Sequence, residues 1–149
     1  MSLQTKIMEE MKAAMRSKDT IALEALRAVK SAILLAKTES GAKEELSEDE
    51  EIKILQKLVK QRKDSAAIFT EQGRADLAEP EVAQAAVIEK FLPEQLSEEE
   101  IAGVVASIIE KTGASSMKDM GKVMGMASKE LAGKADGKTI STIVKQKLS

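Results

Sequence analysis

The chain has 149 residues, 43% hydrophobic and 32% charged, with a formal net charge of −2 and two aromatic residues, Phe69 and Phe91. It has no Cys, which excludes disulfides, iron–sulfur ligation and thiol catalysis, and no His, which excludes an imidazole base and a His-bearing zinc site. The length suits one compact domain or two small ones, and no apolar run approaches the roughly 20 residues of a bilayer span. The expectation is a soluble, cytoplasmic helical protein that needs no cofactor or metal and has no catalytic activity of its own.

Only Pro80 and Pro93 interrupt a sequence rich in Ala, Glu, Lys, Leu and Met, and no alternating β-branched run stands out, so the expected fold class is all-α. Leu3, Ile7, Met11 and Ala14 recur at four- and three-residue steps and predict an amphipathic helix over about residues 3–16. Ser17 to Asp19 form a joint. Asp19 is the N-cap of a second helix, striped by Leu26, Val29, Ile33 and Ala36, which runs to about Lys37 or Glu39 and ends at Ser40-Gly41. Ser47 followed three residues later by Glu50 makes a capping box, with Glu48, Asp49 and Glu51 favourably placed against the helix dipole.

The helix that follows reaches about Thr70. Ile52, Leu55, Val59 and Ala66 form one stripe and Ile54, Leu58 and Ile68 another, so it is expected to be the central member of a bundle. Lys53, Lys57 and Lys60 occupy its solvated third side. After a break at Gly73, Val82, Ala85, Ala86 and Glu89 predict a helix over Glu81 to Lys90, with Phe91-Leu92 following. Pro93 disfavours helix at the residue before it and marks the expected boundary between an N-terminal helical bundle, 1–93, and a small C-terminal three-helix bundle, 94–149.

A second capping box, Ser97 with Glu100, opens the C-terminal part, where Ile101, Val104, Val105, Ile108 and Ile109 make a broad apolar face ending near Thr112-Gly113. Met117, Met120, Met124, Ala127 and Leu131 step along the next helix, which Gly133 closes. Asp136-Gly137 starts a last helix with Ile140, Ile143, Val144 and Leu148 inward. Helical spacing assigns Phe69, Phe91 and most of the eight methionines to the core.

Charge is unevenly spread. Residues 1–93 carry −2, residues 94–112 carry −4, and residues 113–149, with seven Lys against three acids, carry +4. The basic tail fits a polyanionic partner, since lysines that replace phosphate counterions drive non-specific nucleic-acid affinity; it equally fits an ordinary solvated helix face. At 100° per residue Lys118, Lys122 and Lys129 fall within about 40° of one another, opposite the methionine stripe, with Gly125 beside them. On the last helix Lys138, Thr142 and Lys145 share a face. Gly133-Lys134-Ala135-Asp136-Gly137-Lys138 joins the two helices, and two readings of it stand. The turn can offer backbone N–H groups and lysines to a phosphate. Alternatively Gly133 is a C-cap and Asp136 an N-cap, while Gly121 and Gly125 let a neighbouring helix approach. The acidic run Glu44, Glu45, Glu48, Asp49, Glu50, Glu51 reads as dipole complementation rather than a metal site.

Read together, Ala25-Leu26-Arg27, Lys60-Gln61-Arg62-Lys63-Asp64-Ser65, Gly73-Arg74-Ala75-Asp76-Leu77-Ala78, Phe91-Leu92-Pro93 and Met120-Gly121-Lys122-Val123-Met124, with the Gly133 to Lys138 turn, resemble the YqeY (GatB/YqeY) family over essentially the whole chain. The resemblance implies an N-terminal helical part and a C-terminal three-helix part similar to the tail of the B subunit of the aspartyl/glutamyl-tRNA amidotransferase, where the tail contacts tRNA. The family is associated with carbon–nitrogen ligase activity using glutamine as amido donor, yet this chain has no Cys nucleophile and no phosphate-binding P-loop. The RNA-facing positions implied are Gly121, Lys122, Gly125, Gly133, Lys134, Gly137 and Lys138; Lys118, Lys129 and Lys145 join them from the charge pattern, and Lys53, Lys57, Lys60 and Arg62 extend the footprint. The function so implied is a non-catalytic tRNA-binding accessory. The alternative is a helical module that docks on an amidotransferase or another enzyme without binding RNA.

Overall fold

The computed structural model describes residues 2–39 and 45–149. The helix ending expected at Ser40-Gly41, and Glu44 of the acidic run, lie outside the described residues. Among the described residues there are seven α-helices, one short 3-10 turn and no strand, so the fold is all-α. They form two compact units, Met1–Leu92 and Pro93–Ser149.

The first unit holds α1 (Leu3–Ser17), α2 (Thr20–Glu39), α3 (Glu48–Glu71) and α4 (Ala75–Glu89). Ser2 caps α1 by accepting the Thr5 N–H, and Lys18 ends it in the left-handed region at φ 58°. Asp19 Oδ1 then accepts the Ala22 N–H at 3.0 Å, which starts α2. Ser47 accepts the Glu50 N–H at 3.2 Å and donates its hydroxyl proton to the Glu50 carboxylate at 3.1 Å, which starts α3. The core is built from Ile7 and Ala14 of α1, Ala25, Leu26, Val29 and Ile33 of α2, Leu55 and Val59 of α3, and Ala85 and Ile88 of α4.

Three expectations need correction here. The helix that touches all the others is α2, which packs on α1, α3 and α4, whereas α3 packs mainly on α4 and less extensively on α2. The second stripe of α3 fails at its end, where Ile68 is exposed. The fourth helix starts six residues earlier than expected and carries Pro80 inside it. Pro80 sits where only one carbonyl, that of Asp76, loses a helical partner, and the turn before it is held by buried Ala78 and by Leu77 and Ala78 N–H bonds to the Arg74 carbonyl. The buried face of α4 is therefore Ala78, Ala85 and Ile88, with Val82 and Ala86 outside. A polar chain crosses three helices: Arg62 Nε donates to Gln84 Oε1 and Gln84 Nε2 donates to Glu24 Oε2, both at 3.2 Å. Lys63 and Glu89 add an α3–α4 ion pair at 2.6 Å.

The second unit holds α5 (Glu98–Thr112), a 3-10 turn at Met117–Asp119, α6 (Met120–Glu130) and α7 (Gly137–Leu148). Its capping box is complete: Ser97 Oγ accepts the Glu100 N–H, and the Glu100 carboxylate accepts the Ser97 N–H. Gly113 closes α5 at φ 67°. Ile101, Val105 and Ile108 meet Val123, Ala127 and Leu131, and then Ile140, Ile143, Val144 and Leu148, in one core. Met117 does not belong to it and is 46% exposed, because the 3-10 turn rotates it away before α6 begins. The methionines as a group depart from expectation, since no described Met is fully buried. Phe69 and Phe91 are half-buried, and Phe91 packs against the first unit's core. Among the described residues no helix is long and apolar enough to cross a membrane, and no His/Cys/Asp/Glu group could hold a metal ion.

Candidate nucleic-acid interface

The entry to α6 is fixed by Asp119, whose Oδ2 accepts the Ser115 N–H at 3.1 Å while its own N–H donates to the Ser116 carbonyl at 3.0 Å. Lys118 lies in this 3-10 turn, exposed, rather than on α6. Val123 and Ala127 bury the inner side of α6, with Met120 and Met124 half-buried beside them. The outer side presents Gly121, Lys122, Gly125, Ser128 and Lys129, all exposed. At 100° per residue the two glycines, Lys122 and Lys129 span an arc of about 100°. A Cβ added at Gly121 or Gly125 would meet nothing within 4 Å. These glycines therefore do not serve close approach of another helix within the unit, although each costs up to about 1 kcal/mol of helix stability relative to Ala.

The turn after α6 has mainly structural duties. Gly133, expected on the RNA-facing surface, is instead buried and takes φ +77°, a conformation that L side chains adopt with strain. Its carbonyl accepts Gln95 Nε2 at 2.7 Å, and the Lys134 carbonyl accepts the Leu96 N–H at 3.0 Å, so residues 95–96 strap the turn. The Lys134 and Ala135 N–H groups both donate to the Leu131 carbonyl. Asp136 caps α7: its Oδ1 accepts the Lys138 N–H at 3.0 Å, and its Oδ2 accepts the Thr139 hydroxyl at 3.5 Å. A carboxylate of the chain itself thus already stands at the positive end of α7, the place a phosphate would take. The turn is a capped connection, and what it offers a partner is the exposed side chains of Lys134 and Lys138.

Lys145 and Thr142 are exposed on the same side of α7 as Lys138, and Gly137 is exposed at its first position. The Thr142 hydroxyl is occupied by the Lys138 carbonyl at 2.9 Å. The basic stripe on α6 and the one on α7 both point away from the core that the two helices share. In the first unit Lys53, Lys57 and Lys60 are exposed, with Lys60 paired to Asp64 at 2.8 Å. Arg62 is half-buried and committed to Gln84 and to the Leu58 carbonyl, so it is not part of an open basic surface. The Gln95 strap and the Arg62–Gln84–Glu24 chain have no local sequence signal, because each joins residues more than 20 positions apart.

The model of the family described as Yqey-like protein matches residues 4–148. The chain belongs to this family. It is 37% identical over 73 residues to the E subunit of the Glutamyl-tRNA(Gln) amidotransferase of Thermococcus gammatolerans, a match covering 46% of this chain and 12% of that protein. It is also 37% identical over 83 residues to Altered inheritance of mitochondria protein 41, mitochondrial, of Clavispora lusitaniae, covering 56% of this chain and 47% of that one. The YqeY chain thus spans less than half the length of each of these relatives.

Proposed function

We propose that this YqeY chain is a non-catalytic accessory module whose C-terminal unit, a domain of the amidotransferase-tail kind, docks on a folded RNA, with tRNA as the expected one. The observation that carries the reading is the outer face of α6, where Gly121 and Gly125 lie bare beside Lys122 and Lys129 with no neighbour inside the unit to require them, while Lys118 is exposed in the 3-10 turn that precedes the helix. A face without side chains lets a phosphate backbone come close while flanking lysines replace its counterions. Lys134, Lys138 and Lys145 add charge from the turn and α7. The partial match to a component of a Glutamyl-tRNA(Gln) amidotransferase supports a setting in which tRNA is at hand. The chain supplies no Cys nucleophile for a thiol-dependent glutaminase, and on this reading ligase chemistry of the glutamine-dependent kind is the work of a partner. With both aromatic rings half-buried in the first unit, the recognition is of shape and phosphate rather than of stacked bases.

Equilibrium binding to total tRNA across a salt series, with a variant carrying Lys122, Lys134 and Lys138 changed to Ala, tests this. The expected result is affinity that falls steeply with salt, and in the variant a slope shallower by about one unit for each phosphate it no longer neutralises. Absence of binding by either protein at low salt would overturn the RNA reading. Ammonia release from glutamine by the pure protein would overturn the non-catalytic one.

A further inference from the structure

The groove between α1 and α2 combines exposed apolar side chains with unpaired cations. Gln4, Ile7 and Met8 of α1 and Lys30, Ile33 and Leu34 of α2 line a cavity of about 160 Å³. Ile7 and Ile33, each 2% exposed, form its floor. Its rims are apolar and open, with Met8 43% and Leu34 51% exposed, and Met15 continues the α1 rim two turns further on at 54%. At 100° per residue Met8, Lys12 and Met15 share one flank of α1, and Arg27, Lys30 and Leu34 share the facing flank of α2. Lys12, Arg27 and Lys30 are exposed and make no ion pair with another described side chain. Lys37 reaches across to Gln4 Oε1 at 3.0 Å. Of the acids on the two helices, Glu9 and Glu24 are turned about 160° and 180° from the groove floor at Ile7 and Ile33, Glu24 being bonded to Gln84, while Glu10 lies about 160° round α1 from Met8 and Glu39 about 140° round α2 from Leu34.

We infer that this groove is a docking site for an acidic amphipathic helix of a partner protein. A cavity of about 150 Å³ accommodates a group the size of benzene, so this one seats an aliphatic side chain of an incoming helix. The pliable Met8 and Met15 side chains conform to it, and Lys12, Arg27 and Lys30 meet carboxylates one turn away along its polar flank. The exposed apolar rim distinguishes this surface from the glycine–lysine face of α6, since a phosphate backbone gains nothing from Met8, Met15 and Leu34. The inference concerns the first unit and stands whether or not the second unit binds RNA.

The test uses the full chain and a fluorescein-labelled 18-residue alanine-based helical peptide with Leu at four positions spaced i, i+3, i+4 and i+7 and Glu at four positions flanking them. Controls are the same peptide with Lys for Glu, and with Ser for Leu. Binding is read by anisotropy for the wild type and for Leu34→Glu, Lys30→Glu and Leu35→Glu, with helicity and melting followed by circular dichroism. Leu35 is 60% exposed but lies on the side of α2 away from the groove, so Leu35→Glu tests for an effect of charge alone. The acidic peptide is expected to bind, both controls to bind at least tenfold more weakly, and Leu34→Glu and Lys30→Glu each to weaken binding at least tenfold while Leu35→Glu leaves it unchanged. Equal binding of the acidic and basic peptides, or indifference to Leu34→Glu, would overturn the inference. So would a wild-type dimer in sedimentation that Leu34→Glu converts to monomer, because a second copy would then fill the groove.

Discussion

Replacing Gly125 by Ala should make the protein more stable and a poorer RNA binder at once. Gly125 lies mid-way along α6, outside the positive-φ residues, with nothing within 4 Å of the position a Cβ would take. The substitution therefore meets no steric opposition and removes the entropic cost of glycine in a helix, about 1 kcal/mol. For a cooperative unit of 57 residues, Pro93–Ser149, that is a rise of about 4–8 °C in Tm. Urea and thermal unfolding followed by far-ultraviolet circular dichroism suit the measurement, because a chain without Trp or Tyr gives little intrinsic fluorescence. If RNA lies against the bare face, the added methyl is an overpacked contact worth about 1–3 kcal/mol, which is about 5–150-fold in Kd. A fall in the urea midpoint would refute the reading of α6 as an unencumbered helix face. Unchanged tRNA affinity in the stabilised variant would refute the placement of RNA on that face.

Four further outcomes are expected in the same unfolding assay. Ser97→Ala removes one half of the complete capping box and should cost about 1 kcal/mol, seen as a lower urea midpoint with unchanged slope. Lys18→Gly should raise stability by about 1 kcal/mol, since Lys18 holds φ 58° where glycine carries no Cβ penalty; a loss would mean its side chain makes a compensating contact. Ile108→Ala should cost about 2–5 kcal/mol, the range for deleting a buried aliphatic side chain from a core in which it is 1% exposed. Glu51 is held above the ordinary carboxylate value, first by burial and then by repulsion from Glu48, with Lys37 opposing. A folded-state pKa raised above the unfolded one means that this carboxylate contributes a penalty as pH rises through its titration. Glu51→Gln should therefore raise the urea midpoint at pH 7 and leave it unchanged at pH 3, and an equal gain at both values would exclude ionisation as the cause.

What is readable in the sequence follows from how local each signal is. Caps and stripes work within one or two turns, so Asp19, Ser47, Ser97 and Asp136 start their helices as expected, and the α7 face of Ile140, Ile143, Val144 and Leu148 is buried as expected. Features that depend on non-local packing are not legible in this way. Val82 and Ala86 share a helical period with Ala85, yet which of them turns inward depends on where α2 and α3 lie. Pro80 suggests a break, yet α4 runs through it with the Asp76 carbonyl left without its helical partner, because the packing of Ala78, Ala85 and Ile88 on the neighbouring helices outweighs that local signal. Met117 continues a faultless 3-4 step on paper and is turned out by a 3-10 turn that the Asp119 side chain helps to fix. Among the basic candidates the pattern locates the exposed lysines of α6 and α7, while the burial of Gly133 depends on a strap from Gln95 and Leu96, 38 positions away in both pairings.

The distribution of methionine carries a consequence for oxidative chemistry. Met8, Met15, Met117 and Met126 are open to solvent, and the remaining described methionines are half-buried at the margins of the cores. Oxidants convert such thioethers to polar, chiral sulfoxides, a change that sulfoxide reductases reverse. Here the conversion would spare the aliphatic interiors built from Ile, Leu, Val and Ala, so the helices would stay assembled. In the first unit its effect would fall on the α1–α2 groove, whose rim would pass from greasy to hydrated at Met8 and Met15.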